Sequence, residues 1–367
     1  MGLPEIIISF QRKADTAIRS GSRGMVAVVL DDTTKNQMLT PYRRWRDVVQ
    51  EDWTKESLKA LELVFKGSPQ RVVAVRLLKD EETPDLAGTL KEILPLNIDY
   101  LAYPAYTAGD KEALQAYLEA VRRQGKKAKA VLPDCAADDP HVVNFATTGV
   151  TALWENQDEV QTYTGAEYCC RVAGILAGLP LDRSCTYYEL PEVVDAKLPA
   201  DAGAEVDAGK LVVVFDGEKY KLGRGVTSLT SITEERPEDL KKIKIVEGMD
   251  VIIHDIYTTF EDEYVGKVVN SYDNKQMFVG AVNDYLKKME GSVLDETGDN
   301  FVEVDLEANR EYLKRQGIDT EEMTDTQIRE ANTGSYLFLT GACRFLDAME
   351  DLTLKMNMLS LIHISPP

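Results

Sequence analysis

The sequence predicts a multidomain protein of α/β and α+β type, and three observations lead to this prediction. Residues 84–155 alternate helical patterns with short apolar strands, as in a parallel sheet with right-handed crossovers. Residues 242–291 hold two long amphipathic helical patterns in succession. Residues 5–10 form a β-branched run that has no pairing partner nearby in the sequence.

From these observations we expect an N-terminal extended arm, a small α+β domain, a parallel-sheet α/β domain, and a C-terminal α+β domain with hairpins and a long helix pair. The loop-like composition of residues 195–209 suggests the last domain boundary. The expected segments are the arm at 1–20, the small α+β domain at 21–80, the α/β domain at 81–195, the C-terminal domain with its terminal strand at 196–358, and an atypical tail at 359–367.

The first eighty residues are expected to contain the arm, two strands and a helix. The arm strand occupies residues 5–10, and the linker 11–24 follows it. Residues 25–30 and 72–77 have the continuous apolar character of buried strands. Thr54 is a candidate N-cap for the helix between these strands.

The α/β region contains helical patterns at 86–94 and 114–121 and strands at 99–103 and 128–132. Parallel sheets of this type usually bind ligands beyond their strand ends. The sequence nevertheless contains neither GxGxxG nor GxxxxGK[ST], the usual nucleotide-binding motifs. We therefore predict no nucleotide and no other cofactor.

A capping box formed by Thr164 and Glu167 predicts a helix that begins there and ends near Gly178. One face of this helix carries only small residues, namely Ala173, Gly174, Ala177 and Gly178. Such a face lets another backbone approach closely. Close packing within the chain is the simpler interpretation, and direct contact with a partner chain is the alternative.

The C-terminal region is expected to combine a hairpin, the helix pair and closing strands. Residues 211–215 and 219–222 flank Gly217 and form a strong hairpin signal. After the helix pair, residues 301–306 predict a strand and residues 307–316 a helix. The closing strands are expected at 336–339, 343–346 and 352–358.

The formal net charge is −20, from 42 Lys and Arg against 62 Asp and Glu. This balance argues against a nucleic-acid-binding surface. The charge is unevenly distributed, because residues 1–46 are mainly basic and residues 291–351 mainly acidic. Either the acidic stretch is an ordinary solvated face, or the basic region meets the acidic region of a neighbouring copy.

No apolar run approaches the roughly 20 residues that a membrane helix needs, and no signal peptide is recognisable. We therefore expect a protein without a membrane anchor that is made in the cytosol. The five cysteines include the adjacent Cys169 and Cys170 and show no CxxC spacing, which favours buried free thiols.

Catalytic chemistry is not expected. The chain has three histidines, His141, His254 and His363, and it lacks HExxH and Cys/His clusters, so no zinc site or histidine-dependent triad is predicted. The acidic clusters at 261–263 and 347–351 have the residue types of an acid–base pair, but such clusters arise by chance among 62 acidic residues. We therefore predict that the protein is not an enzyme and has no catalytic, cofactor-binding or metal-binding residues.

Several segments resemble one known family. The segment EDEYVGKVVNSYDNKQMFVGAVNDYLK at 261–287 resembles the C-terminal region of tail sheath proteins from contractile bacteriophages, defective prophages and R-type bacteriocins. Further similar motifs follow the family's order along nearly the whole chain: GLPEIIISF, SRGMVAVVL, YCCRVAGILAGLPLDRSCTYYELPEV, VEVDLEANREYL, REANTGS and FLDAMEDL. The last nine residues, LSLIHISPP, do not resemble the family's ending.

The resemblance implies a structural subunit of a contractile tail sheath. Such a subunit polymerises helically around an inner tube, exchanges strands with its neighbours, and contracts to drive the tube through a target cell envelope. The implied partners are further copies of the chain, the inner tail tube protein, and baseplate and tail terminator proteins, without nucleic acid. The implied location is the virion tail, assembled in the bacterial cytoplasm, and the short chain suggests a small prophage or bacteriocin sheath.

The same resemblance assigns roles to the chain ends and to one short helix. A capping box at Thr324 and Gln327 predicts that helix. The candidate tube-facing residues on it are Gln327, Arg329 and Glu330. The candidate intersubunit arm residues are Glu5, Ile6, Ile7, Ile8, Ser9, Phe10, Leu352, Leu354 and Met356.

Two alternatives stay open at this point. A sheath subunit of another contractile injection system would keep the fold but change the setting. An α/β enzyme or ligand-binding protein is suggested by the strand and helix rhythm of residues 84–155. Binding of a nucleotide or small molecule by the isolated chain would favour that second alternative.

Overall fold

The computed structural model describes residues 17–21, 23–80, 83–155 and 158–357. Its helices are α1 Lys55–Lys66, α2 Leu86–Ile93, α3 Lys111–Arg123, α4 Gly165–Gly178, α5 Ala202–Asp207, α6 Ile243–Glu263, α7 Tyr272–Met289, α8 Leu306–Arg315 and α9 Asp325–Glu330. Its strands are β1 Met25–Leu30, β2 Leu39–Tyr42, β3 Arg71–Arg76, β4 Leu78–Asp80, β5 Thr83–Asp85, β6 Tyr100–Ala102, β7 Lys129–Pro133, β8 Val142–Phe145, β9 Gly149–Ala152, β10 Gln161–Thr164, β11 Val193–Ala196, β12 Lys210–Leu211, β13 Val213–Phe215, β14 Tyr220–Leu222, β15 Phe301–Val304 and β16 Leu339–Ala342.

A seven-stranded sheet forms the centre of the molecule, in the order β12-β8-β7-β6-β1-β3-β2. All of its strand pairs are parallel except β2 with β3. The predicted parallel sheet with alternating helices is therefore confirmed, and its strands are almost fully buried because helices cover both faces.

The sheet crosses two of the expected domain boundaries. Strand β1 pairs with β3 on one side and with β6 on the other, so residues 21–80 and 81–195 build one sheet. Strand β12 adds to the same sheet beside β8, although it lies after residue 196. This pairing is non-local in sequence, so the local patterns did not give it, and the division of the chain into domains stays a prediction.

Two apolar layers flank the sheet. One layer contains α1 and α4, and the other contains α2 and α3. The small-residue face of α4 lies against α1, since a methyl group at Gly174 would come within 2.1 Å of the carbonyl oxygen of Val64. The same face meets the end of α1, where a methyl group at Gly178 would come within 2.6 Å of the Gly67 carbonyl oxygen. Close packing within the chain explains this face.

The C-terminal part contains the helix pair α6 and α7 and the two-stranded antiparallel sheet β15–β16. A separate apolar cluster joins these elements, with Ile252 from α6, Phe278 and Leu286 from α7, and Leu294 from the loop that follows. The predicted helix pair, the β13–β14 hairpin and the two capping boxes are all present.

The closing strands differ from the prediction in part. Strand β16 covers 339–342, and residues 344 and 346 continue its hydrogen bonding to 293–295. Residues 352–357 carry no strand in the described part of the chain, because they have no partner strand there. Cys343 is exposed, whereas the other four thiols are buried as expected.

Candidate intersubunit surfaces

Strand β16 has an open edge. In its ladder with β15, Phe301 lies opposite Ala342 and Glu303 opposite Thr340. Main-chain hydrogen bonds continue the ladder. The amide of Asp305 donates to the Phe338 carbonyl, the amide of Asp295 to the Arg344 carbonyl, and the amide of Leu346 to the Val293 carbonyl. The main-chain N–H and C=O groups of the even-numbered residues from 338 to 346 thus point toward the partner segments. The intervening Leu339, Gly341, Cys343 and Phe345 make no main-chain hydrogen bond within the described residues.

The other edge of this small sheet is closed by a side chain. Asn283 of α7 accepts a hydrogen bond from the amide of Val302 at 2.7 Å and donates one to the carbonyl of Val302 at 2.9 Å. The carboxamide therefore pairs with β15 as a neighbouring strand would. As a result, β16 presents the free edge of the sheet.

An apolar groove of about 320 Å³ runs beside the open edge. Helix α6 provides Ile252 and Ile256 on one side, α7 provides Val282 and Leu286, and residues 339–343 form the strand side. A strand added to β16 would place alternate side chains in this groove. The open edge and the groove together form a surface suited to strand addition.

Near its C-terminal end, the chain is last held against the rest of the molecule around Glu350. The Glu350 side chain is only 5% exposed. Its carboxylate accepts hydrogen bonds from the hydroxyls of Ser184 and Thr186 and pairs with Lys242. Arg224 lies 3.5 Å from the same carboxylate and 2.5 Å from that of Asp351. We call Ser184, Thr186, Arg224 and Lys242 the Glu350 socket. It fixes the point from which the end of the chain extends.

Beyond this socket the predicted arm residues are exposed. Leu352 is 88% exposed, Leu354 71% and Met356 83%. Three large apolar side chains at alternate positions are typical of a strand with one apolar face. They have no packing partner within the described residues, and a role as intersubunit arm stays a prediction.

The N-terminal arm residues Glu5, Ile6, Ile7, Ile8, Ser9 and Phe10 lie outside the described residues. The chain that follows them is bound along α6. The amide of Arg19 donates to Thr259, that of Gly21 to Asp255, and the Arg23 side chain to Glu247. Arg19, Gly21 and Arg23 of the predicted linker are therefore fixed, and from Arg19 to Arg23 the contacts move from the carboxyl end of α6 toward its amino end.

The three candidate tube-facing residues lie on α9, as predicted. Gln327 accepts a hydrogen bond from the amide of Thr324 at 2.8 Å, so it serves the capping box. Arg329 lies 4.0 Å from Glu303 of β15, which places α9 beside the open-edged sheet. Glu330 is exposed. A tube contact by these residues stays a prediction.

The uneven charge of the sequence appears on the surface. Arg43, Arg44 and Arg46 are exposed, and none of them makes an ion pair within the described residues. The C-terminal part exposes many carboxylates around α8 and α9, including those of Glu296, Asp299, Glu303, Glu307, Asp319, Glu321 and Glu322. These two surfaces are complementary in charge.

A buried ionic network seats α6 on the central sheet. Lys129 of β7 lies 2.8 Å from Glu247 and 2.7 Å from Asp250, both on α6. His141 lies 3.0 Å from Asp250, and its amide donates to Asp139. Burial raises the pKa of Glu247 and of Asp250, but Lys129 acting together with Arg23 at Glu247 and with His141 at Asp250 outweighs burial and lowers both pKa values below their ordinary range. The network therefore consists of charged groups that neutralise one another.

Other kinds of site were sought among the described residues. No group of His, Cys, Asp and Glu there has the arrangement of a metal site. No helix there is long and apolar enough to cross a membrane. The acidic residues of the 347–351 cluster are engaged instead with Lys242 and Arg224.

Sequence reasoning missed the residues that define these surfaces. Glu350 was visible inside the motif FLDAMEDL, and a buried socket was not predictable because its partners lie more than a hundred residues earlier. Asn283 gives no sequence signal at all, since an asparagine on the surface of a helix is ordinary. Its contact with Val302 appears only in the folded chain.

The described residues combine a mainly parallel α/β sheet with a small sheet that has an exposed strand edge, the type of surface that associates by strand addition. The family described as "Phage tail sheath C-terminal domain" matches residues 235–358. A tail sheath protein of Clostridium phage phiCD119 is 32% identical over 374 residues, covering 97% of this chain and 99% of that protein. The chain belongs to the phage tail sheath proteins.

Solved structures share the fold at low sequence identity. The helical sheath of the anti-feeding prophage in its contracted state has a TM-score of 0.67 at 15% identity, covering 97% of this chain and 99% of that one. A sheath tail protein from Desulfitobacterium hafniense has a TM-score of 0.63 at 15% identity, covering 82% of this chain and 94% of that one. The mixed α/β and α+β architecture is thus a sheath protein fold.

Proposed function

We propose that this sheath subunit polymerises helically around an inner tube by exchanging strands with its neighbours, and that the polymer contracts to drive the tube through a target cell envelope. The observation that carries the proposal is the open edge of β16 beside its apolar groove. The arm residues Leu352, Leu354 and Met356 match that surface in kind, since they are apolar at alternate positions and exposed.

The exits of the two chain ends support connections to different neighbours. The C-terminal segment leaves near Lys242, at the amino end of α6. The N-terminal segment leaves near Glu263, at the carboxyl end of the same helix. Helix α6 has 21 residues and therefore separates the exits by about 30 Å. A subunit that donates at two distant points and accepts at a third makes heterologous contacts, which generate open helical polymers.

Strand exchange also suits a polymer that changes shape. Main-chain hydrogen bonds hold the added strand in register while the connecting segment changes its angle. The rigid body between the arms is well suited to move as a unit, because α6 is tied to the central sheet by buried ion pairs. The proposed mechanism uses no nucleotide, in line with the absence of nucleotide-binding motifs from the sequence.

The proposed partners are further copies of the chain, the inner tail tube protein, and baseplate and tail terminator proteins. Charge complementarity between the surface of Arg43, Arg44 and Arg46 and the acidic C-terminal face favours contact between copies. The proposed location is the virion tail, assembled in the bacterial cytoplasm. A sheath of another contractile injection system is the second candidate, because the anti-feeding prophage sheath shares the fold over nearly the whole chain.

The proposal is tested by blocking the open edge without touching the ladder. In Cys343→Pro the exposed edge loses one outward N–H group and gains a ring that obstructs an incoming strand. The variant should remain folded by circular dichroism and fail to form tubes in negative-stain electron microscopy, with and without tube protein. Cys343→Ser is the matched control and should polymerise normally. Normal tubes from Cys343→Pro would refute strand addition at β16.

A further inference from the structure

A second apolar groove, of about 490 Å³, lies at the carboxyl end of α6. Its walls come from α6, α7 and the loops beside them, and they include Phe260, Tyr264, Val268, Phe278 and Leu337. At its rim Val265 is 56% and Val269 75% exposed. This groove is separate from the groove beside β16, since the two share no lining residue.

The floor of this groove contains a buried cation. Lys275 is 3% exposed, and its ammonium donates to the Ala331 carbonyl at 3.1 Å and to the Thr333 hydroxyl at 2.8 Å. Both acceptors are neutral, and no carboxylate lies within ion-pair distance of Lys275 among the described residues. A buried ammonium of this kind favours an occupant that brings a carboxylate.

The N-terminal segment leaves the described structure beside the carboxyl end of α6, the helix end that also carries this groove. Ile18 belongs to the same apolar cluster as Tyr264 and Phe278, which both line the groove. Arg19 pairs with Glu263 at 3.0 Å, the last residue of α6. An extended chain of seven residues from position 17 back to position 10 spans about 23 Å, so residues 5–10 reach the groove easily.

We propose that, in the unassembled subunit, residues 5–10 dock in this groove of the same molecule. The sequence of this segment fits the groove in kind, because it offers the apolar side chains of Ile6, Ile7, Ile8 and Phe10 for the apolar walls and the carboxylate of Glu5 for Lys275. The C-terminal arm is a poorer occupant because it leaves near Lys242, at the opposite end of α6. Where the proposed function holds, this docking keeps the N-terminal arm from strand exchange until a neighbour displaces it.

Disulfide trapping tests the docking in the dilute monomer. In a Cys343→Ser background, Ile7→Cys is combined with Val269→Cys at the groove rim, or with Ile318→Cys as a control. Val269 is the more exposed of the two positions, and Ile318 does not line the groove. Mass spectrometry should find intrachain disulfide with position 269 forming at least tenfold faster than with position 318. Equal rates, or disulfides between chains alone, would overturn the proposal.

A second measurement follows the accessibility of the N-terminal segment without any cysteine. Chymotrypsin cleavage after Phe10 should be at least fivefold faster in Val269→Asp, because the added charge disfavours docking. Ile253→Asp is the control, since Ile253 is exposed on α6 but does not line the groove. An unchanged cleavage rate in Val269→Asp would contradict the docking. Both assays use monomers, so their outcome is independent of whether tubes form.

Discussion

At the scale of single residues, the closest packing in the molecule depends on glycine. Gly174→Ala places a methyl group 2.1 Å from the Val64 carbonyl oxygen, so α1 and α4 must separate. We expect a loss of about 2 kcal/mol in the free energy of unfolding, measured by urea denaturation of the monomer. Gly280→Ala in α7 is the matched control: nothing lies within 4 Å of the added methyl group, and stability should rise by about 0.5 kcal/mol. Equal effects of the two substitutions would contradict this account.

Glu350 gives a second prediction at this scale. Glu350→Ala leaves Lys242 without its nearly buried partner and removes the carboxylate to which the Thr186 hydroxyl donates. We expect a loss of about 1–2 kcal/mol in unfolding free energy. Tube formation should also be impaired, because the C-terminal arm no longer leaves from a fixed point. Asp351→Asn is the control, since Asp351 is mostly exposed and its pair with Arg224 should contribute little.

At the scale of elements, the attachment of α6 to the sheet should depend on pH through His141. Burial lowers the pKa of His141, but the Asp250 carboxylate and hydrogen bonds to Asp139 and Asp250 raise it above its ordinary value of 6.5. A group whose pKa is raised on folding stabilises the fold fully below pH 6.5, and this contribution is lost as pH rises through the folded-state pKa. His141→Gln should therefore cost more stability at pH 6 than at pH 9.

The magnitude and control for this prediction follow from the same contacts. The cost of His141→Gln at pH 6 should be about 2 kcal/mol, as expected for a hydrogen bond between charged groups. In an Asp250→Asn background the pH dependence of that cost should largely disappear, because the main charge that faces His141 is gone. Asp139 titrates in another range, since hydrogen bonds from His141 and the charge of Arg122 outweigh burial and lower its pKa to about 2. If His141→Gln lowers the free energy of unfolding equally at pH 6 and pH 9 in the unmodified background, then protonated His141 does not stabilise the attachment of α6.

Local signals in the sequence predicted most of the elements. The capping boxes at Thr164 and Thr324 formed as expected, because each satisfies helix-terminal amides with residues three positions apart. The hairpin at Gly217 formed for a similar reason, since its turn has a positive φ of 101° that glycine adopts freely. These features depend on neighbours in sequence, and sequence patterns report such neighbours directly.

At the scale of the whole molecule, the sequence patterns did not predict which distant segments would pair. Strand β1 lies between β3 and β6, so residues 21–80 and 81–195 share one sheet, a pairing that the local patterns did not give. The open edge of β16 was equally out of reach, because local patterns do not show that β16 has a partner strand on one side alone. The alternation of apolar residues beyond position 351 is visible in the sequence, but the point where this segment leaves depends on a socket assembled from distant segments.

The last prediction concerns assembly as a whole. A chain that lacks residues 1–16 keeps the segment bound to α6 and keeps the β16 edge, so it should fold and accept an arm from the end of a growing tube. It cannot donate its own N-terminal arm, and growth should stop where it binds. When one part of the truncated chain is mixed with ten parts of the full chain, the tubes should become several-fold shorter, as measured by electron microscopy.

The same truncation carrying Cys343→Pro cannot accept an arm and should leave tube length unchanged. If both truncations shorten tubes equally, or if the simple truncation forms long tubes alone, then exchange of the N-terminal arm does not propagate the polymer.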